Sequence, residues 1–186
     1  DVGSAPGDLF NGIEVYLSSY IDTLNVGDVL RIGDPLAEYY NMTSMSQSFY
    51  HFERTGQGAA VLPPEPMTIG DMTDVSTFEP YEGMLVEVEN VVVVERAGEW
   101  SFYEWAVTSD NLNWLRIDDL GDFDYVEGLG DTLNIRGTLR YLFGEFKLAP
   151  RSDDDIDILY QNPNSSDELP AGVKISLAQN HPNPFN

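Results

Sequence analysis

Along most of its length this chain alternates apolar and polar residues with a period of two, and a helical period is almost missing. Period two places successive side chains on opposite faces of a strand, so it constrains the fold more tightly than any single motif. In "NGIEVYL", Ile13, Val15 and Leu17 share one face, with Glu14 and Tyr16 on the other. "GMLVEVENVVVVE" sets Met84, Val86 and Val88 against Leu85, Glu87 and Glu89, then runs apolar from Val91 to Val94. "TLNIRGTLRYLFGEFKLAP" aligns Leu133, Ile135, Leu139, Tyr141 and Phe143. Gly137 within it predicts a bulge or the sharp bend of a small barrel, and Gly144 predicts a hairpin turn. At most one helical turn is expected, between Ile69 and Phe78. The fold class is therefore all-β.

An internal echo organises these strands. "GDVLRI" at Gly27–Ile32 returns 103 positions later as "GDTLNI" at Gly130–Ile135, and the same offset carries Tyr39–Asn41 onto Leu142–Gly144. Two related β units in tandem follow. The first spans 1–62 and is abbreviated; the second spans 63–160, beginning in the proline-rich "LPPEP". The long strand that opens the second unit has no counterpart in the first, because its equivalent would fall before Asp1. A vacant strand position leaves unpaired backbone groups and uncovered apolar side chains. Residues 161–186 read as a linker and a strand-like tail, with Val173, Ile175 and Leu177 on one face of "VKISLA". That segment is the candidate to fill a vacant edge, in its own subunit or in a neighbouring copy.

Several phrases are similar to known families. "NVGDVLRIGDPLAEYYNMTSM", "PYEGMLVEVENVVVV" and "GDTLNIRGTLRYLFGEFKLAPRSDDDI" resemble OB-fold domains of large secreted bacterial proteins, often found beside extracellular nucleases. The resemblance implies two OB-like small barrels or sheets, whose faces accept oligonucleotides, oligosaccharides or proteins. "ISLAQNHPNPFN" resembles the start of the C-terminal sorting region of type IX secretion cargo. It implies a secreted protein, extracellular or at the cell surface, whose sorting domain would begin where this sequence stops.

Charge narrows the partners. Nine basic residues face 32 acidic ones, a net charge of −23. Phosphate binding depends on Lys and Arg, so nucleic acid is an unfavoured partner. No apolar run approaches the length of a membrane span, so no membrane insertion is expected. The chain has no cysteine, and its two histidines, His51 and His181, stand far apart. No G-x-S-x-G, H-E-x-x-H or Walker loop occurs. The expectation is a non-enzymatic chain.

Two groups of residues are candidate sites. Trp114, Arg136, Arg140, Tyr141 and Lys147 combine rings and cations as OB ligand faces do, unless the rings are core and the cations are paired with carboxylates. Asp153, Asp154, Asp155 and Asp157, and secondly Asp118, Asp119, Asp122 and Asp124, crowd oxygen ligands as calcium loops do, although neither matches the EF-hand spacing. No cofactor is expected, and plain solvated acidic loops are the first reading; calcium bound by these carboxylates is the alternative. Together these features point to a structural subunit that associates with other copies of itself. The alternative is an accessory OB domain of a secreted nuclease or hydrolase, gripping nucleic acid or polysaccharide.

Overall fold

A computed structural model describes residues 12–16, 23–33, 35–45, 51–98 and 103–165. Its centre is a five-stranded barrel formed by β7 (Leu85–Glu95), β8 (Trp105–Thr108), β9 (Leu115–Ile117), β10 (Thr132–Leu142) and β11 (Glu145–Ala149). Strands β7–β8, β8–β9, β10–β11 and β10–β7 pair antiparallel, and β9–β11 pair parallel, which closes the sheet with OB-like strand order. The short β6 (Glu65–Met67) adds parallel to β7, and β12 (Ile156–Tyr160) adds antiparallel to β10. Pro66 is tolerated because β6 is an edge strand. The expected helical turn is present as a 3-10 turn at Ile69–Thr73 followed by the four-residue α1 (Val75–Phe78).

The alternation read in the sequence becomes the barrel core. Val86, Val88, Val91, Val93, Trp105, Val107, Leu115, Ile117, Leu133, Ile135, Leu139 and Leu148 are buried almost completely. Each such side chain stabilises the fold by about 1.5–3 kcal/mol through burial alone. Gly137 stands where β10 passes from β7 to β11: Thr138 is the last residue opposite β7 and the first opposite β11. A Cβ on Gly137 would lie 2.6 Å from the Ala149 carbonyl oxygen, so the bend that closes the barrel excludes any larger residue.

The first unit holds β1 (Glu14–Val15), β2 (Val29–Gly33), β3 (Leu36–Tyr39), β4 (Met42–Met45) and β5 (His51–Gly56). It repeats the second unit in register as well as in sequence. Leu36↔Met45, Ala37↔Ser44, Glu38↔Thr43 and Tyr39↔Met42 match Leu139↔Leu148, Arg140↔Lys147, Tyr141↔Phe146 and Leu142↔Glu145, each shifted by the same offset. Both hairpins turn through left-handed residues, Tyr40 and Asn41 (φ 50° and 74°) against Phe143 and Gly144 (φ 57° and 87°). Paired positive φ values are what a tight hairpin turn requires. The ladders β2–β5 and β10–β12 share an irregularity at the equivalent step, Val29/Leu30 and Thr132/Leu133. Even β1 finds its counterpart: it runs parallel to β4 as β9 runs parallel to β11.

What the first unit lacks, among the described residues, is any counterpart of β7 or β8, and it forms a three-stranded and a two-stranded sheet in place of a closed barrel. The consequence lies in its inner face. Leu30, Ile32 and Leu36 are equivalent to Leu133, Ile135 and Leu139, the same residue types at the same spacing. In the closed barrel all three are 0 % exposed; in the first unit Leu30 and Ile32 are half-buried and Leu36 is 62 % exposed. The two units meet at the far end of β10. There Gly12 abuts the Gly83 backbone, the Phe143 amide donates to the Tyr40 carbonyl (3.3 Å), and the Tyr40 and Phe143 rings stack at 4.7 Å.

Candidate functional site

Two features outside the core carry chemistry: a row of cations across the barrel wall and the open inner face of the first unit. The row follows from register. Arg140 lies opposite Lys147, and Lys147 lies opposite Arg116, so three positive charges stand side by side on β10, β11 and β9. Their sequence neighbours Leu139, Leu148, Leu115 and Ile117 fill the core, so alternation turns the cations to the outer wall.

Each cation is held by carboxylates. Glu14 of β1 accepts two bonds from Arg140, at Nε (2.7 Å) and Nη2 (3.0 Å), while Asp118 accepts from Nη1 at 2.8 Å. Lys147 Nζ donates to both oxygens of Glu104 (2.6 and 2.9 Å), with Glu145 at 3.6 Å. Arg116 pairs with Glu95 at 3.0 Å and Glu145 at 3.3 Å. Burial works against the charge on Arg140, and the bonds and charges of Glu14 and Asp118 outweigh it, holding the guanidinium above its ordinary value. Arg116 is shifted the same way: burial opposes its charge, and Glu95 with Glu145 prevail. Five carboxylates thus surround three cations, and the wall presents no net positive field to a phosphate.

The rings and cations named from the sequence do not form one groove. Tyr141 and Phe146 pack together at 4.8 Å on the core side, opposite to Arg140 and Lys147. Trp114 is exposed on the loop before β9. Arg136 turns to the β12 side, donating to the Asp154 carbonyl (2.6 Å) and to Asp157 (3.1 Å). Arg140 and Lys147 are neighbours on the outer wall, whereas Trp114 and Tyr141 line a separate hollow with Met72 and Val75.

The acidic loop divides likewise. Asp155 is buried and accepts from the backbone and guanidinium of Arg151 at 2.7–2.9 Å. Burial raises its pKa, and Arg151 more than reverses that, leaving the carboxyl below its ordinary value. Asp153 accepts from the Asp124 amide, and Asp157 pairs with Arg136. Of the second group, Asp118 is engaged by Arg140. Among the described residues, no three carboxylate or histidine side chains are grouped as metal ligands. No helix among them is long and apolar enough to cross a membrane. Val173, Ile175 and Leu177 lie outside the described residues.

Sequence reasoning passed over Glu14 and Glu104 and named Asp118 only as a calcium candidate, because their pairing with Arg140 and Lys147 depends on strands distant in sequence. It also passed over Leu30, Ile32 and Leu36 as a set. Extending the echo as far as Leu36 and Leu139 would have found them. No family model matches the chain, and neither characterised proteins nor solved structures give a significant match.

Proposed function

We propose that this chain is a secreted, non-enzymatic structural subunit of an extracellular assembly, such as a filament or a surface module, whose copies associate through β-strand addition. One observation carries the reading: Leu36 is 62 % exposed where its repeat-equivalent Leu139 is 0 % exposed. An inner face with the composition of a core, but with no covering strand among the described residues, is what a strand acceptor needs. The strand-like tail around Val173, Ile175 and Leu177 supplies a donor pattern, and the resemblance of "ISLAQNHPNPFN" to type IX cargo supports the extracellular address. Donor and acceptor at different places on one chain make a heterologous contact, which propagates into rings or filaments.

A second reading keeps the chain as an accessory OB domain of a secreted hydrolase. Trp114, 49 % exposed beside Met72, Val75 and Tyr141, supports it for a polysaccharide, because a sugar ring stacks on an aromatic face without needing cations. For an oligonucleotide the paired state of Arg116, Arg136, Arg140 and Lys147 speaks against it.

Size exclusion with light scattering, together with negative-stain microscopy, tests the first reading. Concentration-dependent oligomers that vanish on truncation after Tyr160 are the expected result. A monomer at all accessible concentrations overturns it, and retention on a polysaccharide column that Trp114→Ala abolishes would favour the second reading.

A further inference from the structure

Building on the assembly reading above, we infer that the acceptor is the free edge of β2, and that its occupant is residues 173–178 of a second copy, lying antiparallel where β7 lies in the complete barrel. The repeat defines the acceptor. In the second unit β10 is flanked by β12 on one side and by β7 on the other, with Ile135 opposite Val88 and Leu133 opposite Val91. In the first unit β2 has the equivalent of β12, namely β5, and among the described residues no strand on its other side. Among the described residues, the molecule thus contains both an unfilled edge and the pattern of the strand that fills it.

That pattern is alternating apolar residues. Val86 and Val88 of β7 point into the barrel and are 0 % and 1 % exposed, while Glu87 between them faces Arg136. The tail has the same alternation: Val173, Ile175 and Leu177 separated by Lys174 and Ser176. Setting Ile175 opposite Ile32, as Val88 is set opposite Ile135, brings Leu177 opposite Leu30. Directly opposed residues share a face, so Ile175 and Leu177 cover Ile32 and Leu30, and Val173, one step further along, lies diagonal to Leu36.

Reach argues for a second copy. The last described residues are anchored at the start of β10: the Asn162 amide donates to Asp131 (2.7 Å) and its side chain donates to the Leu129 carbonyl (2.8 Å). The first unit meets the barrel at the other end of β10, through Arg140 and Phe143. The run from Asp131 to Arg140 is about 30 Å along the strand. Ser165 to Val173 spans at most about 28 Å when fully extended. A β2 edge lying at that far end of β10 would require the link to the same subunit to be close to fully extended, whereas a neighbour is free to present its edge nearer.

The absence of cysteine allows a direct test. Two single variants of the full chain, Ile32→Cys and Ile175→Cys, are mixed under mild oxidation. Opposed strand residues approach within the Cα separation a disulfide needs, so a 32–175 heterodimer is expected, mapped by peptide mass. Ser176→Cys paired with Ile32→Cys points to the other face and should cross-link at least 10-fold less. Leu36→Glu, at an exposed position that does not compromise the monomer, should weaken assembly at least 10-fold. If no heterodimer forms but a double variant closes on itself as a monomer, the second-copy occupant is overturned. If the chains assemble, yet neither cross-link forms and Leu36→Glu assembles normally, the β2 edge is overturned while the assembly reading stands. A chain that stays monomeric and uncross-linked overturns both.

Discussion

The repeat allows one residue type to be tested in two environments within the same molecule. Leu139 and Leu36 occupy equivalent positions, opposite Leu148 and Met45 respectively, but are 0 % and 62 % exposed. Leu139→Ala deletes buried methyl groups from the closed barrel and should cost about 3 kcal/mol, including the cavity left behind. Leu36→Ala removes groups that water already reaches, and in the unassembled chain should stay within about 0.5 kcal/mol. For a protein of this size the first change lowers the melting temperature by roughly 10 °C and the second by one or two degrees at most. Urea unfolding followed by tryptophan fluorescence provides the assay, since Trp105 is buried in the barrel core. Measurements at submicromolar concentration keep the chain unassembled; repeating them at high concentration should make Leu36→Ala more costly. Equal losses for the two variants at low concentration would refute the claim that the inner face of the first unit is uncovered.

Three further outcomes are expected. Glu104→Ala leaves Lys147 buried with only the half-exposed Glu145 at 3.6 Å, so it should cost about 3 kcal/mol by urea titration, whereas the double change with Lys147→Met should recover most of that loss. Burial of Glu82, reinforced by the charges of Glu79 and Glu38 and opposed by the Thr43 amide, raises its pKa. A raised carboxylate is penalised at neutral pH and relieved as pH falls through its folded value, so Glu82→Gln should melt higher than the parent at pH 7, with the gap closing toward pH 4. Asp110 accepts the amides of Leu112 and Asn113, and its pKa is lowered to about 2. Its stabilisation is complete above the unfolded carboxylate range and lost as pH falls toward 2; a carbon-detected NMR titration midpoint near 4 would contradict that bonding.

Strand alternation, the hairpin turns and the repeat are local or self-similar features, and they were legible in the sequence. The period of two makes alternate side chains face opposite ways whatever the partners, so the all-β class and most of the barrel core followed from Val86 to Val93 and from Leu133 to Leu139. Asn41 and Gly144 declared the two hairpin turns because few residue types accept positive φ, whereas Tyr40 and Phe143 beside them gave no such signal. The fate of the charged residues was not legible in this way. Arg140 and Glu14 are separated by most of the chain, and only the docking of β1 onto the barrel wall brings them to 2.7 Å. Nor does alternation tell whether an apolar face is covered: Leu30-x-Ile32-x-x-x-Leu36 and Leu133-x-Ile135-x-x-x-Leu139 read alike. Burial depends on which strands lie across the barrel, a property of long-range pairing. Tertiary structure alone closes one copy of the motif and, among the described residues, leaves the other open.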